Sequence, residues 1–271
     1  MNKELTIVIN TCDLFSDIWN VTIFLLKNYW KQCEYAVVLL TDTNKNNYSF
    51  DGVEILCAGE KKEITERLLY AIPFIKTKYV LMTLDDYFIN DNISSEKIVR
   101  ILDYCTQNSI DYCRFFLRPK PYKNEKIKNQ RKMWTIDNSR IYSVNLYPGL
   151  WTLDFLKFTL KGKIKNAWQY EVFLTKAATN YKLNAIVSLN NEFPFIDGIR
   201  KGLFLRRSKK FIDRLNIYQG NRGVCSRWFE FKLNARTFVS RHAPKWFKEK
   251  LKECGRKKGM TYYSDYTEED N

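Results

Sequence analysis

Val80-Leu81-Met82-Thr83-Leu84-Asp85-Asp86-Tyr87 is an apolar, strand-like run that stops at two adjacent carboxylates, with Phe88-Ile89 beyond them. Such a run reads as a buried strand carrying functional groups at its C-terminal end. In open α/β sheets, ligands sit outside the carboxyl ends of the strands. Two neighbouring carboxylates repel unless a cation or solvent compensates them. A hard divalent cation that also meets phosphate oxygens would do so; an exposed Asp-Asp turn is the plainer alternative.

The pattern upstream supports a sheet. Leu5 to Ile9 reads as a first buried strand, ending at Asn10-Thr11-Cys12-Asp13. Ser16 is a plausible N-cap for a helix reaching Trp30. Tyr35–Leu40 and Val53–Cys57 read as strands, and 61–75 as a helix with Ile64, Leu68, Leu69, Ile72 and Ile75 on one face. Tyr79–Leu84 is the fourth strand. This alternation predicts an α/β fold with a mostly parallel sheet covered by helices.

Downstream, a helix starts at Ser94 or Ser95, and Asp111–Leu117 reads as a strand. Residues 118–140 are polar and basic, and predict a mobile loop. Arg140–Leu146 alternates as a strand, Tyr147-Pro148-Gly149 is a turn, and Leu150–Lys161 looks helical up to Gly162. Asn166 with Gln169 forms a capping box for a helix to about Thr179. Asn184–Leu189 reads as the last strand, and Gly198 and Gly202 punctuate a loop.

Composition bounds the function. The 271 residues carry a formal charge of +15, with 45% hydrophobic and 15% aromatic content, so a real core is expected. Between Leu205 and Lys258, seventeen Lys or Arg face four acids (17 − 4 = +13). The seven cysteines show no CxxC spacing and predict free thiols in a reducing compartment. The single histidine, His242, disfavours His-based triads and His-rich metal sites. After Met1-Asn2-Lys3-Glu4 the first apolar run breaks at Asn10 and Asp13, too soon for a signal sequence. The expectation is a cytoplasmic protein, or one peripheral on the inner face of a membrane.

Three features stand together: the β-α-β-β-α-β opening, Asp85-Asp86 after the fourth strand, and the helix bearing Trp168-Gln169-Tyr170-Glu171. Together they resemble the nucleotide-sugar glycosyltransferases of the GT-A fold, above all the bacterial enzymes of capsule and lipopolysaccharide synthesis. Tyr147-Pro148-Gly149-Leu150-Trp151 and Gly198-Ile199-Arg200-Lys201-Gly202 also look like pieces of such enzymes. The resemblance covers roughly residues 4–203. It leaves out the tail, whose charge and aromatics mark off a basic, aromatic-rich helical extension over 204–271, and implies a GT-A-like unit over 1–203. It also implies Mn2+ or Mg2+ held by Asp86 and Asp85 against the donor diphosphate, and Glu171 as the base of an inverting transfer.

The chemistry fits those residue types. A leaving diphosphate develops charge that a cation stabilises. Without metal, Arg200 and Lys201 on the glycine-flanked loop could close over the phosphates. A carboxylate within hydrogen-bond reach suffices to take the acceptor proton. Glu171 lies one turn after Trp168, which could stack on a sugar or serve as a core residue. Tyr147, Trp151 and Trp168 are the expected acceptor contacts. Thr11, Asp13 and Asp42, with Asp85, are expected at the donor, and Arg67 at its pyrophosphate or in a surface ion pair. The donor is a nucleotide diphosphate sugar, a UDP-sugar by preference, and the acceptor a glycan, lipid-linked for choice.

The basic segment interleaves cations with Phe211, Tyr218, Trp228, Phe229, Phe231, Phe238, Trp246 and Phe247. That composition fits an anionic membrane surface, a nucleic-acid surface or solvated helices packed on the protein. The membrane is preferred, and no nucleic acid is expected. Two rival functions remain. A nucleotidyltransferase would normally show a Gly-rich basic loop after the first strand, yet residues 10–16 hold neither glycine nor lysine. A nucleic-acid-binding protein leaves the Asp-Asp strand end unexplained.

Overall fold

The structure is a computed structural model that describes residues 4–242, 244–257 and 259. The acidic end Glu268-Glu269-Asp270 and the side chain of His242 lie outside the described residues. The opening runs β1 (Leu5–Asn10), a 3-10 turn (Asp13–Ile18), α1 (Trp19–Tyr29), β2 (Ala36–Thr41), β3 (Val53–Cys57) and α2 (Ile64–Ala71). Then come β4 (Tyr79–Leu84), β5 (Tyr87–Ile89), α3 (Ser95–Gln107), β6 (Tyr112–Arg114), β7 (Met133–Thr135) and β8 (Gly149–Thr152). The chain continues through α4 (Leu153–Thr159), α5 (Ala167–Tyr181), β9 (Ala185–Ser188), β10 (Phe195–Asp197), β11 (Ile199–Arg200) and β12 (Leu203–Phe204). It closes with α6 (Arg206–Leu215), α7 (Arg227–His242) and α8 (Lys245–Arg256).

An eight-stranded sheet in the order β3-β2-β1-β4-β8-β6-β9-β7 forms the centre. The first four of these strands are parallel, β8 is antiparallel to β4 and β6, and β9 is parallel to β6. Alternate side chains feed two cores. Leu5, Ile7 and Ile9 of β1 meet α1 and α3 on one face, while Val8 meets α2, α4 and α5 on the other. This is the expected α/β class, a mostly parallel mixed sheet between helix layers. The chain turns to β2 and β3 on one side of β1 and returns to β4 on the other. Between the C-terminal ends of β1 and β4 lies the switch point where such sheets bind ligands.

Several local expectations change. Ser16 lies inside the 3-10 turn and caps no helix; α1 begins at Trp19. Leu69 is exposed, because one residue along a helix turns its side chain about 100° away from the buried Leu68. The expected loop over 118–140 contains β7. Arg140–Leu146 forms no strand; its buried part is irregular, and side chains of Arg114, Asn145 and Glu171 satisfy its backbone. Gly149 does not end a turn but opens β8. The expected helix from Leu150 starts only at Leu153, because Thr152 accepts the Phe155 N–H as its N-cap. Ala185–Ser188 is not the last strand, since β10, β11 and β12 follow.

The expected division at 203/204 coincides with no break in packing. Phe204, Ile212 and Cys225 are fully buried, Phe204 and Ile212 within the α1-side core. Phe211 stacks on Tyr29 of α1 at 6.3 Å, and the Ser208 hydroxyl donates to Gly198 O at 2.6 Å. Arg222 pairs with Asp17, donates to Leu14 O at 2.8 Å and Gly202 O at 3.1 Å, and lies 4.7 Å from the Phe15 ring centroid. Beyond Ser226, exposed aromatics dominate: Trp228, Phe231, Phe238 and Trp246 are each more than half exposed. We therefore expect a chain ending at Ser226 to melt cooperatively, and one ending at Leu203 to fail to fold. Losing one large buried side chain alone costs about 2–5 kcal/mol. Near-UV circular dichroism and thermal melts of both truncations test this; equal melting temperatures would overturn it.

Candidate functional site

Asp85 and Asp86 form the two-residue turn between β4 and β5, and they meet different partners. Asp85 points to the α1 face and is 5% exposed. The Thr11 hydroxyl donates to its Oδ2, Trp19 Nε1 donates to Thr11 Oγ1 at 2.7 Å, and the Thr22 hydroxyl donates to Asp85 O at 2.7 Å. Burial, then Asp86, push its pKa well above the usual range. Thr11 and Asp85, expected at the donor and the metal, thus serve as a buried brace between β1, α1 and β4.

Asp86 meets Asp197, Arg200 and Glu171 instead. Its Oδ1 is enclosed and has no hydrogen-bond partner, and the same holds for Oδ1 of Asp197. Pairing of β10 with β5 sets Asp197 opposite Tyr87, next in chain to Asp86. Gly198 N–H donates to Asp86 O at 2.7 Å and locks that register. Burial, then Asp197, push Asp86 up to about 7. Burial also raises Asp197, against the opposing charge of Arg200. Arg200 holds Asp197 Oδ2 through Nε at 2.7 Å and Nη2 at 2.5 Å, and reaches Tyr147 Oη at 3.5 Å.

Glu171 completes the cluster. The capping box of Asn166 and Gln169 starts α5 where expected and carries Glu171 into its second turn. Leu146 N–H donates to Glu171 Oε1 at 3.1 Å. Burial raises its pKa, with the Leu146 N–H and Arg200 opposing. Tyr147 stacks on Phe116 at 4.0 Å and sits 5.2 Å from the Tyr87 ring, which meets Phe195 at 5.1 Å. The site is therefore three carboxylates and one guanidinium beside an aromatic wall.

Other expected residues sit apart. Trp151 is fully buried between Tyr112 (4.9 Å) and Phe155 (5.4 Å), so it is a core residue and meets no acceptor. Trp168 is 49% exposed near the start of α5. Asp13 accepts the Thr43 N–H at 3.0 Å and its hydroxyl at 2.6 Å, tying the loops after β1 and β2. Asp42 pairs with Arg67 at 2.8 Å, and Arg67 Nε donates to Asn10 Oδ1 at 3.2 Å. Both side chains are largely enclosed, so Arg67 forms a sheltered ion pair and not a surface one. Lys201 (φ 49°) and Gly202 (φ 75°) form the two-residue hairpin tip between β11 and β12, both left-handed as a type I′ turn requires. Lys201 is exposed there.

Asp197 escaped the sequence reading, because a short edge strand shows no periodicity. Its signal was Asp197 and Arg200 flanking Gly198. A Cβ at Gly198 would lie 2.6 Å from Asp86 O and 2.6 Å from the Phe88 ring. We expect Gly198→Ala to cost about 1–3 kcal/mol, typical of overpacking, and to pull Asp197 away from Asp86. A urea melt measures the first; unchanged stability would show that the β5–β10 contact yields freely.

Among the described residues, no group of three or more His, Cys, Asp or Glu could hold a metal ion. Mg2+ commonly takes only one or two carboxylates and completes its shell with substrate phosphates and water. The partnerless oxygens of Asp86 and Asp197 fit that sparser mode, whereas Asp85 does not.

No family model matches the chain, and no curated protein matches it. Among solved structures, S. aureus TarS is similar at 15% identity and TM-score 0.43, over 70% of this chain and 59% of that one. A cytidylyltransferase from Leptospira borgpetersenii serovar Hardjo-bovis gives 15% and 0.44, over 81% and 99%. The bifunctional IspDF from Campylobacter jejuni gives 10% and 0.43, over 72% and 52%. The chain thus spans only 59% of the TarS structure and 52% of IspDF. Likenesses this distant say nothing of activity, substrate or individual residues.

Proposed function

We propose that the chain is a glycosyltransferase that moves a sugar from a nucleotide diphosphate sugar, a UDP-sugar by preference, to a glycan acceptor in bacterial surface-polysaccharide synthesis of the capsule or lipopolysaccharide type. The observation that carries this reading is the set Asp86, Asp197 and Glu171, with partnerless oxygens on two of its members, just beyond β4 at the switch point. In this reading the donor lies over the ends of β1 and β2, near Asp13, Asp42 and Arg67. Asp86, with Asp197, would hold Mn2+ or Mg2+, which when bound supplies charge to the leaving diphosphate. Arg200 and Lys201 lie on the hairpin beside it and add positive charge. Glu171 takes the acceptor proton in an inverting displacement, its carboxylate oriented by the Leu146 N–H. Tyr147 and Trp168 offer ring faces to the sugars.

The extension adds an anionic membrane surface as partner, which suits a lipid-linked acceptor and a peripheral place on the inner face of the membrane. Support comes from the exposed aromatics of α7 and α8 beside their cations, with Lys232 Nζ 5.0 Å from the Trp228 ring centroid. No helix among the described residues is long and apolar enough to cross a membrane.

Thermal stabilisation by UDP, GDP, CMP and dTDP, with and without Mn2+, tests the donor, since a ligand of the folded state alone raises stability. Release of nucleoside diphosphate from a nucleotide sugar supports transfer. Release of pyrophosphate from CTP would replace it with nucleotidyl transfer. We further expect binding to anionic vesicles to fall on truncation after Ser226 and, for the full chain, as salt rises. Equal vesicle binding by both chains would remove the membrane.

A further inference from the structure

A second concavity lies on the far side of the sheet, between α3, the turn before β7 and the segment after β9. It is a groove of about 760 Å3 with four cations on its walls, Lys97, Arg100, Arg131 and Lys132. Its two acids are Asp103 and Glu192. Glu192 is buried, and its oxygens accept the Ser188 hydroxyl and, at 3.1 Å, the Asn190 N–H. Arg131, Lys132 and Lys97 form no ion pair among the described residues, and Arg100 has only a 3.9 Å contact with Glu96. Side-chain amides of Gln107, Gln130, Asn190 and Asn191 fill the spaces between the charges, with the Tyr104 ring beside them. Apolar side chains enter only through Ile101 and Met133, both buried.

The walls are tied to each other. Asn190 Nδ2 donates to Arg131 O at 2.9 Å, Leu189 N–H to Lys132 O at 3.0 Å, and Lys97 Nζ to Asn190 O at 3.0 Å. Asn129, Lys132 and Asn191 all hold left-handed backbone (φ 61°, 49° and 62°), which fixes both turns. The cations are thus presented by a braced surface.

We propose that this groove binds a sugar chain bearing phosphate or carboxylate groups, the part of the acceptor distant from the reacting end. Cations suit the anions, amides suit hydroxyls, and a single tyrosine ring suits a sugar face. An unstacked nucleic acid would need a succession of rings, and the groove offers one. An apolar ligand would find too little apolar wall. The segment Phe193-Pro194-Phe195-Ile196 runs from Glu192 to Asp197, so groove and carboxylate cluster are connected by a stretch spanning at most roughly 17 Å. A polymeric acceptor could occupy both. Its identity as acceptor rests on the transferase reading; the binding itself does not.

The test measures binding without donor, by calorimetry in about 0.15 M salt, with hexagalacturonate as the anionic sugar chain. Maltohexaose, linear polyphosphate and single-stranded DNA are the comparison probes. Wild-type chain and the α6 variant K209E/K210E should bind hexagalacturonate alike. R131E/K132E should bind it at least about tenfold more weakly, while keeping its melting temperature and its stabilisation by nucleotides. If charge reversal unfolds the turn, R100Q/R131Q replaces it with the same expectation. Equal binding by the groove variants overturns the proposal. So does equal or tighter binding of polyphosphate, which would reduce the groove to bare charge, or of DNA, which would make it a nucleic-acid surface. Loss of nucleotide stabilisation in every chain, with groove binding intact, would instead sink the transferase reading and leave this site standing.

Discussion

Glu171→Gln is expected to slow transfer by on the order of 10²–10⁴, the usual loss on removing a general base. The amide keeps the shape, and its oxygen can still accept the Leu146 N–H that now binds the carboxylate at 3.1 Å. What disappears is the capacity to take a proton. Donor stabilisation should therefore be unchanged, and the loss should fall on the rate at saturation. The pH profile follows from the same carboxylate. Burial raises the Glu171 pKa, so the ionised base is lost as pH falls through a value above that of an ordinary glutamate, near 4.3. Wild-type activity should drop on the acid side there, and the variant should lack that limb. A variant that bound donor poorly and turned over normally would place Glu171 in the donor pocket.

Asp86→Asn should abolish transfer and, at the same time, stabilise the chain above neutral pH. Unfolded, an aspartate ionises near pH 4. Folded, burial and then the Asp197 carboxylate push Asp86 up to about 7. Between those values the folded chain keeps a proton that the unfolded chain has lost. Its stability therefore declines as pH rises from about 4 to about 7 and stays low above that. Asparagine has no charge to lose. In chelator-containing buffer at pH 8 the variant should melt several degrees above wild type, at about 2–4 °C per kcal/mol for a chain of this size. At pH 4 and below the two should nearly coincide. A variant that melts lower at pH 8, or that retains near-native turnover, would remove Asp86 from the centre of the site. Such a trade, stability given up for a charge held where it is needed, is common at functional sites.

The parallel half of the sheet was legible because β1, β2 and β4 are buried on both faces and so read as unbroken apolar runs. Asn166 and Gln169 announced α5, and with it Glu171, through their capping chemistry alone. What failed did so for physical reasons. In Arg140–Leu146 the alternation of polar and apolar residues marks a buried irregular segment held by side chains, which has no period of its own. At Leu150-Trp151 a short strand runs directly into α4, and Thr152 was the boundary signal. Asp85 and Asp86 were read as one unit because sequence adjacency hides their different partners, Thr11 for Asp85 and Asp197 for Asp86. The Asp197–Arg200 spacing did not show that Asp197 meets Asp86, and Arg222 could not be found from spacing at all, since its partner Asp17 lies far away in the chain.

That last contact sets a clock. Asp17 lies in the first loop of the chain and Arg222 close to its last packed segment, so the two ends of the fold are fastened across almost its whole length. A ribosome adds about 5–20 residues per second. The parallel strands β1 to β4 emerge early and can pair while synthesis continues. Asp197 reaches Asp86 only after β10 emerges, and Asp17 gains its Arg222 partner only when Arg222 has left the exit tunnel. The nascent chain therefore carries the strands of its parallel half for many seconds with the carboxylate cluster incomplete, and the cluster closes only late in synthesis.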